Sequence, residues 1–115
     1  MNRKRNTSMT KEELITLCLN GKKACADTPF GANGATAVRH TQNGKWFALI
    51  FVLEGKLCVN LKCQPVKADF WRSVYHGVQP AWHMNKTHWN KVEMDTDVLP
   101  CDLQEMINDS YALTK

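Results

Sequence analysis

Asn43-Gly44-Lys45-Trp46-Phe47-Ala48-Leu49-Ile50-Phe51-Val52-Leu53-Glu54-Gly55-Lys56-Leu57-Cys58-Val59-Asn60-Leu61-Lys62-Cys63 is the stretch on which the fold turns. Lys45 to Leu53 is apolar on both parities. Trp46, Ala48, Ile50 and Val52 are expected on one face, and Phe47, Leu49, Phe51 and Leu53 on the other. A strand covered on both sides is central to its sheet. Glu54-Gly55 turns the chain into Lys56–Cys63, where Leu57, Val59, Leu61 and Cys63 alternate with Lys56, Cys58, Asn60 and Lys62, predicting one dry and one wetter face. Asn43-Gly44 is a two-residue hairpin signal, because both central positions of a type I′ turn need positive φ. With a strand expected over Ala35 to His40, the three make an antiparallel meander.

Helices are expected on either side. Thr10-Lys11-Glu12-Glu13 fits a capping box, and Leu14, Leu17 and Cys18 give a helical apolar face that ends near Gly21. Pro65 suits the first position of a second helix. There Val66, Phe70 and Val74 recur every four residues beside Trp71 and Tyr75, predicting packing on the sheet. His88 to Met94 reads as a further strand, and Pro100 opens a last helix with Leu103, Met106, Ile107 and Tyr111 as its buried stripe. The predicted order is α-β-β-β-α-loop-β-α, an α+β domain with an antiparallel sheet flanked by helices. Residues 1–9 are expected to form a disordered basic tail and residues 10–115 a single domain.

The 115 residues suffice for one hydrophobic core. No apolar run approaches the ~18 residues that span a bilayer, and the basic N-terminus lacks the apolar stretch of a secretory signal. A cytoplasmic location is the expectation. The five cysteines then read as free thiols. Charge is uneven. Residues 39–91 hold eight basic and two acidic side chains, whereas residues 92–115 hold one basic and six acidic. A basic middle concentrates polyanions such as nucleic acid, unless the charges are simply solvated.

The segment Pro80-Ala81-Trp82-His83-Met84-Asn85-Lys86-Thr87-His88-Trp89-Asn90 places two indoles, two imidazoles and a lysine within eleven residues. It resembles the P-G-Y-H-M-N-K-R-H-W-N pattern of the MmcQ/YjbR family of small bacterial proteins. Thr28-Pro29-Phe30-Gly31 is similar to the family's Y-P-F-G, Lys45-Trp46-Phe47-Ala48 to its G-K-M-F-A, Leu61-Lys62-Cys63 to its L-K-C, and Ser110-Tyr111 to its terminal S-Y. The resemblance covers about residues 10–114. Ala81 stands where the family has Gly, so the turn there cannot depend on positive φ, and Thr28 replaces Tyr. The resemblance implies a frataxin-like, CyaY-type α+β fold and DNA binding.

Three functional readings follow from the residues. In the first, Lys62, Arg72, Lys86 and Lys91 neutralise phosphates, Asn85, His88 and Asn90 supply further polar contacts, and an exposed Trp stacks on an unpaired base. In the second, the C-x4-C of Cys58 and Cys63 and the H-x4-H of His83 and His88 resemble zinc spacing. Strand parity opposes it by sending Cys58 and Cys63 to opposite faces, and Cys63 as a nucleophile is opposed by its place among core residues. In the third, Trp82, His83 and Trp89 are structural anchors and the remaining polar side chains satisfy loop backbone, leaving a protein- or small-ligand-binding module. The reading adopted is a non-enzymatic DNA-binding protein with no metal and no cofactor.

Overall fold

The computed structural model describes residues 8–115. Its elements run α1 (Lys11–Leu19), β1 (Ala24–Asp27), β2 (Thr36–His40), β3 (Trp46–Leu53), β4 (Lys56–Lys62), α2 (Pro65–Val74), β5 (Val78–Pro80), β6 (Trp89–Glu93) and α3 (Pro100–Leu113). The six strands form one antiparallel sheet in the order β1-β2-β3-β4-β6-β5. This is the expected α+β class, with two short edge strands added. β1 escapes a sequence reading because Ala and Asp are poor strand formers. β5 escapes it because it has three residues and ends in Pro, which an edge tolerates. Residues 1–7 of the expected tail lie outside the described residues. Met9, at its end, is tied in: its N–H donates to the Asp95 carboxylate at 3.1 Å and its side chain packs against the core.

All three helices lie on one face of the sheet. Leu14 and Cys18 of α1, Ala68 and Trp71 of α2, and Leu103, Met106 and Ile107 of α3 share a core with Val38, Phe47, Ile50, Val59, Leu61 and Val92. Thr10 caps α1 reciprocally, accepting from Glu13 N at 3.1 Å and donating its own N–H to Glu13 Oε1 at 2.9 Å. Lys67 joins α2 to α3 through Glu105 at 2.7 Å and Asp109 at 2.8 Å, and these bonds raise its pKa.

Three local expectations are corrected. The stripe Val66, Phe70 and Val74 faces solvent at 85%, 52% and 47% exposure. Ala68, Trp71 and Tyr75 are buried instead, because the two large aromatic rings remove more apolar area from water than the valines would. At Asn43-Gly44, Gly44 alone has positive φ. The loop is longer than two residues, closed by Gly44 N–H to His40 O at 2.9 Å and by Asn43 Oδ1 accepting from Lys45 N–H. Two consecutive positive φ values fall at Glu54 and Gly55, between the paired Leu53 and Lys56. Third, Trp46 and Phe47 exchange faces. Val38 pairs with Ala48 and Arg39 with Trp46, so Phe47 is an extra residue in a bulge.

Ser110 secures that bulge. Its hydroxyl donates to Phe47 O at 2.6 Å and accepts from Lys62 N–H at 2.8 Å, standing between β3 and β4 where their ladder stops. Next to it, Tyr111 stacks on the buried His40 at 4.3 Å, and His40 Nε2 lies 2.8 Å from Thr114 Oγ1. Burial lowers the His40 pKa, with Lys115 and Lys45 adding to the effect.

Two outcomes are expected. Ser110→Ala leaves a buried N–H and C=O without their partner and should cost about 2–4 kcal/mol in urea unfolding at neutral pH. Since the folded state disfavours charged His40, stability should be flat above pH ~7 and fall as pH drops through about 6.5, where the unfolded histidine takes up its proton. Substitution of His40 by Gln should flatten that limb of the pH–stability curve.

Candidate functional site

Strand pairing gives the other face of the sheet no helix. Pleating sends Ala37 and Arg39 of β2, Trp46, Leu49 and Phe51 of β3, Cys58, Asn60 and Lys62 of β4, and Trp89, Lys91 and Glu93 of β6 toward it. A small second core of Ala37, Leu49, Phe51 and Cys58 forms there, with Trp82 and Met84 packed on it from the loop between β5 and β6. Trp82 stacks on Phe51 at 4.5 Å and 25°. Asn60 holds the loop backbone from both sides, donating to Trp82 O at 2.7 Å and accepting from Trp82 N–H at 3.4 Å. The buried Ala81 lacks positive φ; the left-handed residue is His83, at φ 56°.

The expected contact residues divide into separate groups. Lys62 and Trp89 are directly opposed on the helix-free face, and Lys91 is opposed to Asn60 two pairs along, the next pair on that face. Lys91 is 3.5 Å from Glu93 with both side chains mostly covered, whereas Lys62 has no ion pair among the described residues. Arg72 lies on the helix-bearing side. Its Nε donates to Asn90 Oδ1 at 2.7 Å and its Nη2 to the carbonyls of Lys86 and Trp89. Asn90 is buried at 2% exposure and donates to Ala68 O. The expectation that Arg72 and Asn90 meet a nucleic acid therefore gives way: together they clamp β6 to α2.

The loop residues are also occupied, though exposed. Lys86 Nζ donates to Ala81 O at 2.7 Å, and Asn85 Oδ1 accepts from the N–H groups of Thr87 and His88. Such side-chain bonds to nearby backbone satisfy a loop that lacks a ladder of its own. Of the expected anchors, Trp82 and Trp89 are half-buried. His83 is exposed and touches the fold through its ring edge on Trp82, 4.2 Å between centroids. His88 is exposed as well.

Cys63 belongs to the helix-side core and Cys58 to the opposite one, as parity predicts. Burial pushes both thiols up, and Cys18 to about 12, which is the reverse of an activated thiolate.

Sequence reasoning passed over one feature. Phe30, Trp46, Trp82, His83 and Met84 wall a cleft of about 440 Å³ over Leu49 and Ala35. Phe30 meets Trp46 edge-on at 5.9 Å, and Arg39, paired with Asp27 at 3.0 Å, lies 5.8 Å from the Trp46 ring. Hollows of similar size beside Asn20–Lys22 and α3, and beside Ser8–Met9 and Asp95–Thr96, carry more polar linings. The missed signal was Phe30 in a Pro-Phe-Gly loop, where a large ring has no strand or helix to bury it.

The family model named YjbR matches residues 19–113. The chain is 34% identical to the uncharacterised protein YyaQ of Bacillus subtilis over 69% of its own length and 75% of the relative's. It is 37% identical to YbdF of Escherichia coli O157:H7 over 61% of its length, a match spanning 57% of YbdF. It is 27% identical to YjbR of Escherichia coli K12 over 90% of its length and 85% of the relative's. A crystal structure of a Pseudomonas syringae protein superposes with a TM-score of 0.84 at 26% identity, covering 93% of this chain and 100% of the other. A Deinococcus radiodurans protein at 24% identity shares the fold with a TM-score of 0.77, over 89% of this chain and 75% of that one.

Lys86→Ala removes a charge-assisted bond to Ala81 O on an exposed side chain, and should cost about 1 kcal/mol in chemical denaturation. Asn90→Ala, which strands Arg72 and Ala68 O in part-buried surroundings, should cost about 2–3 kcal/mol in the same measurement.

Proposed function

The chain belongs to the YjbR family, and from that premise we propose that it is a non-enzymatic nucleic-acid-binding protein acting in the cytoplasm through the helix-free face of its sheet. The observation that carries the reading is the cross-strand pair of Lys62 and Trp89, with Lys91 in the next pair on the same face. A lysine without an ion pair among the described residues meets phosphate, and a half-buried indole beside it offers a surface on which a base stacks. His88 and Asn85 are exposed on the loop that leads into β6.

The same geometry favours unpaired strands over duplex. No helix carries a dense basic face, and α3 presents Asp102, Glu105 and Asp109. A flat sheet reads a splayed single strand more readily than a duplex groove. The electrostatic part is modest. Leaving aside Arg3, Lys4 and Arg5, the chain holds twelve basic against eleven acidic residues. Affinity should therefore sit near the weak end of the non-specific range.

Fluorescence anisotropy with a labelled single strand and a matched duplex, at about 50 and 200 mM salt, tests this. Binding to the single strand should be the tighter and should weaken with salt. Lys62→Ala should reduce the log–log salt slope by about one. Absence of binding to either strand below about 100 μM at the lower salt overturns the proposal. That result would favour a protein- or small-ligand-binding module in which residues 83–90 are mainly structural.

A further inference from the structure

Beside the Lys62–Trp89 strip, and separate from it, we propose that the cleft between Phe30, Trp46 and Trp82 is a binding site for a flat aromatic acid of one or two rings. Its volume of about 440 Å³ lies within the range of small-molecule sites, and its walls are two indoles, a phenyl ring and the Met84 thioether. Phe30 stands 65% exposed with its edge against Trp46, so a large ring is held toward water on the helix-free face. A ring inserted beside it would gain offset or edge-to-face contacts that a saturated body of equal size would not.

Charge selects the substituent. No Asp or Glu lines the cleft. The ionisable side chain in its lining is His83, and the guanidinium of Arg39 lies 5.8 Å from the ring of Trp46, one of its walls. Arg39 Nη2 meets Asp27, but its buried Nε has no hydrogen-bond partner among the described residues. An amine would find no counter-charge in the lining, while a carboxylate would find the imidazole. His83 is also held in a left-handed conformation that a non-glycine residue seldom adopts. Its exposed ring meets Trp82 in a T-shaped contact at the mouth of the cleft. Strained residues that persist in this way gather at ligand clamps.

The probe is naphthalene carboxylate, titrated while the amide and indole N–H resonances are followed by NMR. The indole resonances of Trp46 and Trp82 should shift and saturate with a Kd of about 1 mM or tighter, the level that ligand efficiency gives a molecule of this size. Cyclohexane carboxylate and naphthalene carboxamide should each bind at least about 3-fold more weakly, as loss of the aromatic contacts and of the ligand's charge respectively requires. Phe30→Ala, at an exposed ring, should weaken the acid about 3- to 10-fold with resonance dispersion retained. His83→Asn, a residue that tolerates the left-handed conformation, should abolish the preference for acid over amide. Lys62→Ala should leave the titration unchanged, so this site and the nucleic-acid strip stand or fall separately. Three results overturn the assignment: indole resonances unmoved at about 10 mM, ten times that limit; saturated and aromatic acids binding equally; or shifts centred on Lys62 and Lys91.

Discussion

A six-stranded sheet has two faces, and this chain has helices for one of them. The other still presents Leu49, Phe51 and Trp46, because β3 is apolar on both sides. That uncovered face sets the requirement that the loop from Ala81 to His88 meets. Trp82 lies flat on Phe51, and Asn60 fixes the loop backbone with two hydrogen bonds. A segment with few ladder bonds can lie on apolar surface only if its N–H and C=O groups find other partners. Much of the polarity between Pro80 and Asn90 is spent in this way.

Most polar side chains of the polar-aromatic segment therefore have partners inside the fold. Asn85 closes a turn, Lys86 reaches back to Ala81 O, and Asn90 and Arg72 lock β6 against α2. These bonds give the loop backbone fixed partners, and that loop walls the cleft and leads into the Lys62–Trp89 pair. The same holds on the helix-bearing face of the sheet. The Ser110 hydroxyl completes the β3–β4 ladder, and Tyr111 covers His40. The structural and functional readings of the segment are thus compatible: one set of side chains holds the surface that another set presents.

Legibility from sequence followed the range of the interaction concerned. The capping box at Thr10, Leu103, Met106 and Ile107 of the α3 stripe and the side-chain parity of β4 came through, since each depends on residues within one element. The expected wetter face of β4 did not come through, because Cys58 and Asn60 are buried under the loop that packs there. The faces of Trp46 and Phe47 did not, because a bulge is fixed by the pairing of two strands and here by a serine from a third element. The stripe of α2 misled for a related reason. Both Val66-Phe70-Val74 and Ala68-Trp71-Tyr75 have helical spacing, and only docking against the sheet selects between them. Arg72 and Asn90 looked available because a sequence shows hydrogen-bonding capacity without showing where it is used.

By itself, the sequence determined the α+β class, the central β3–β4 hairpin, the helix stripes that have no competitor, and the YjbR family to which the chain belongs. These rest on period, turn chemistry and short motifs, all of which are local. Tertiary structure decided which polar groups stay free after folding, that His83 takes the left-handed conformation, and that Phe30 and Trp46 meet Trp82 across a cleft. Phe30 and Trp82 are fifty-two positions apart, and no local preference of either residue carries the other's location. A binding surface is made of what remains uncovered, and that is settled only when every element has docked.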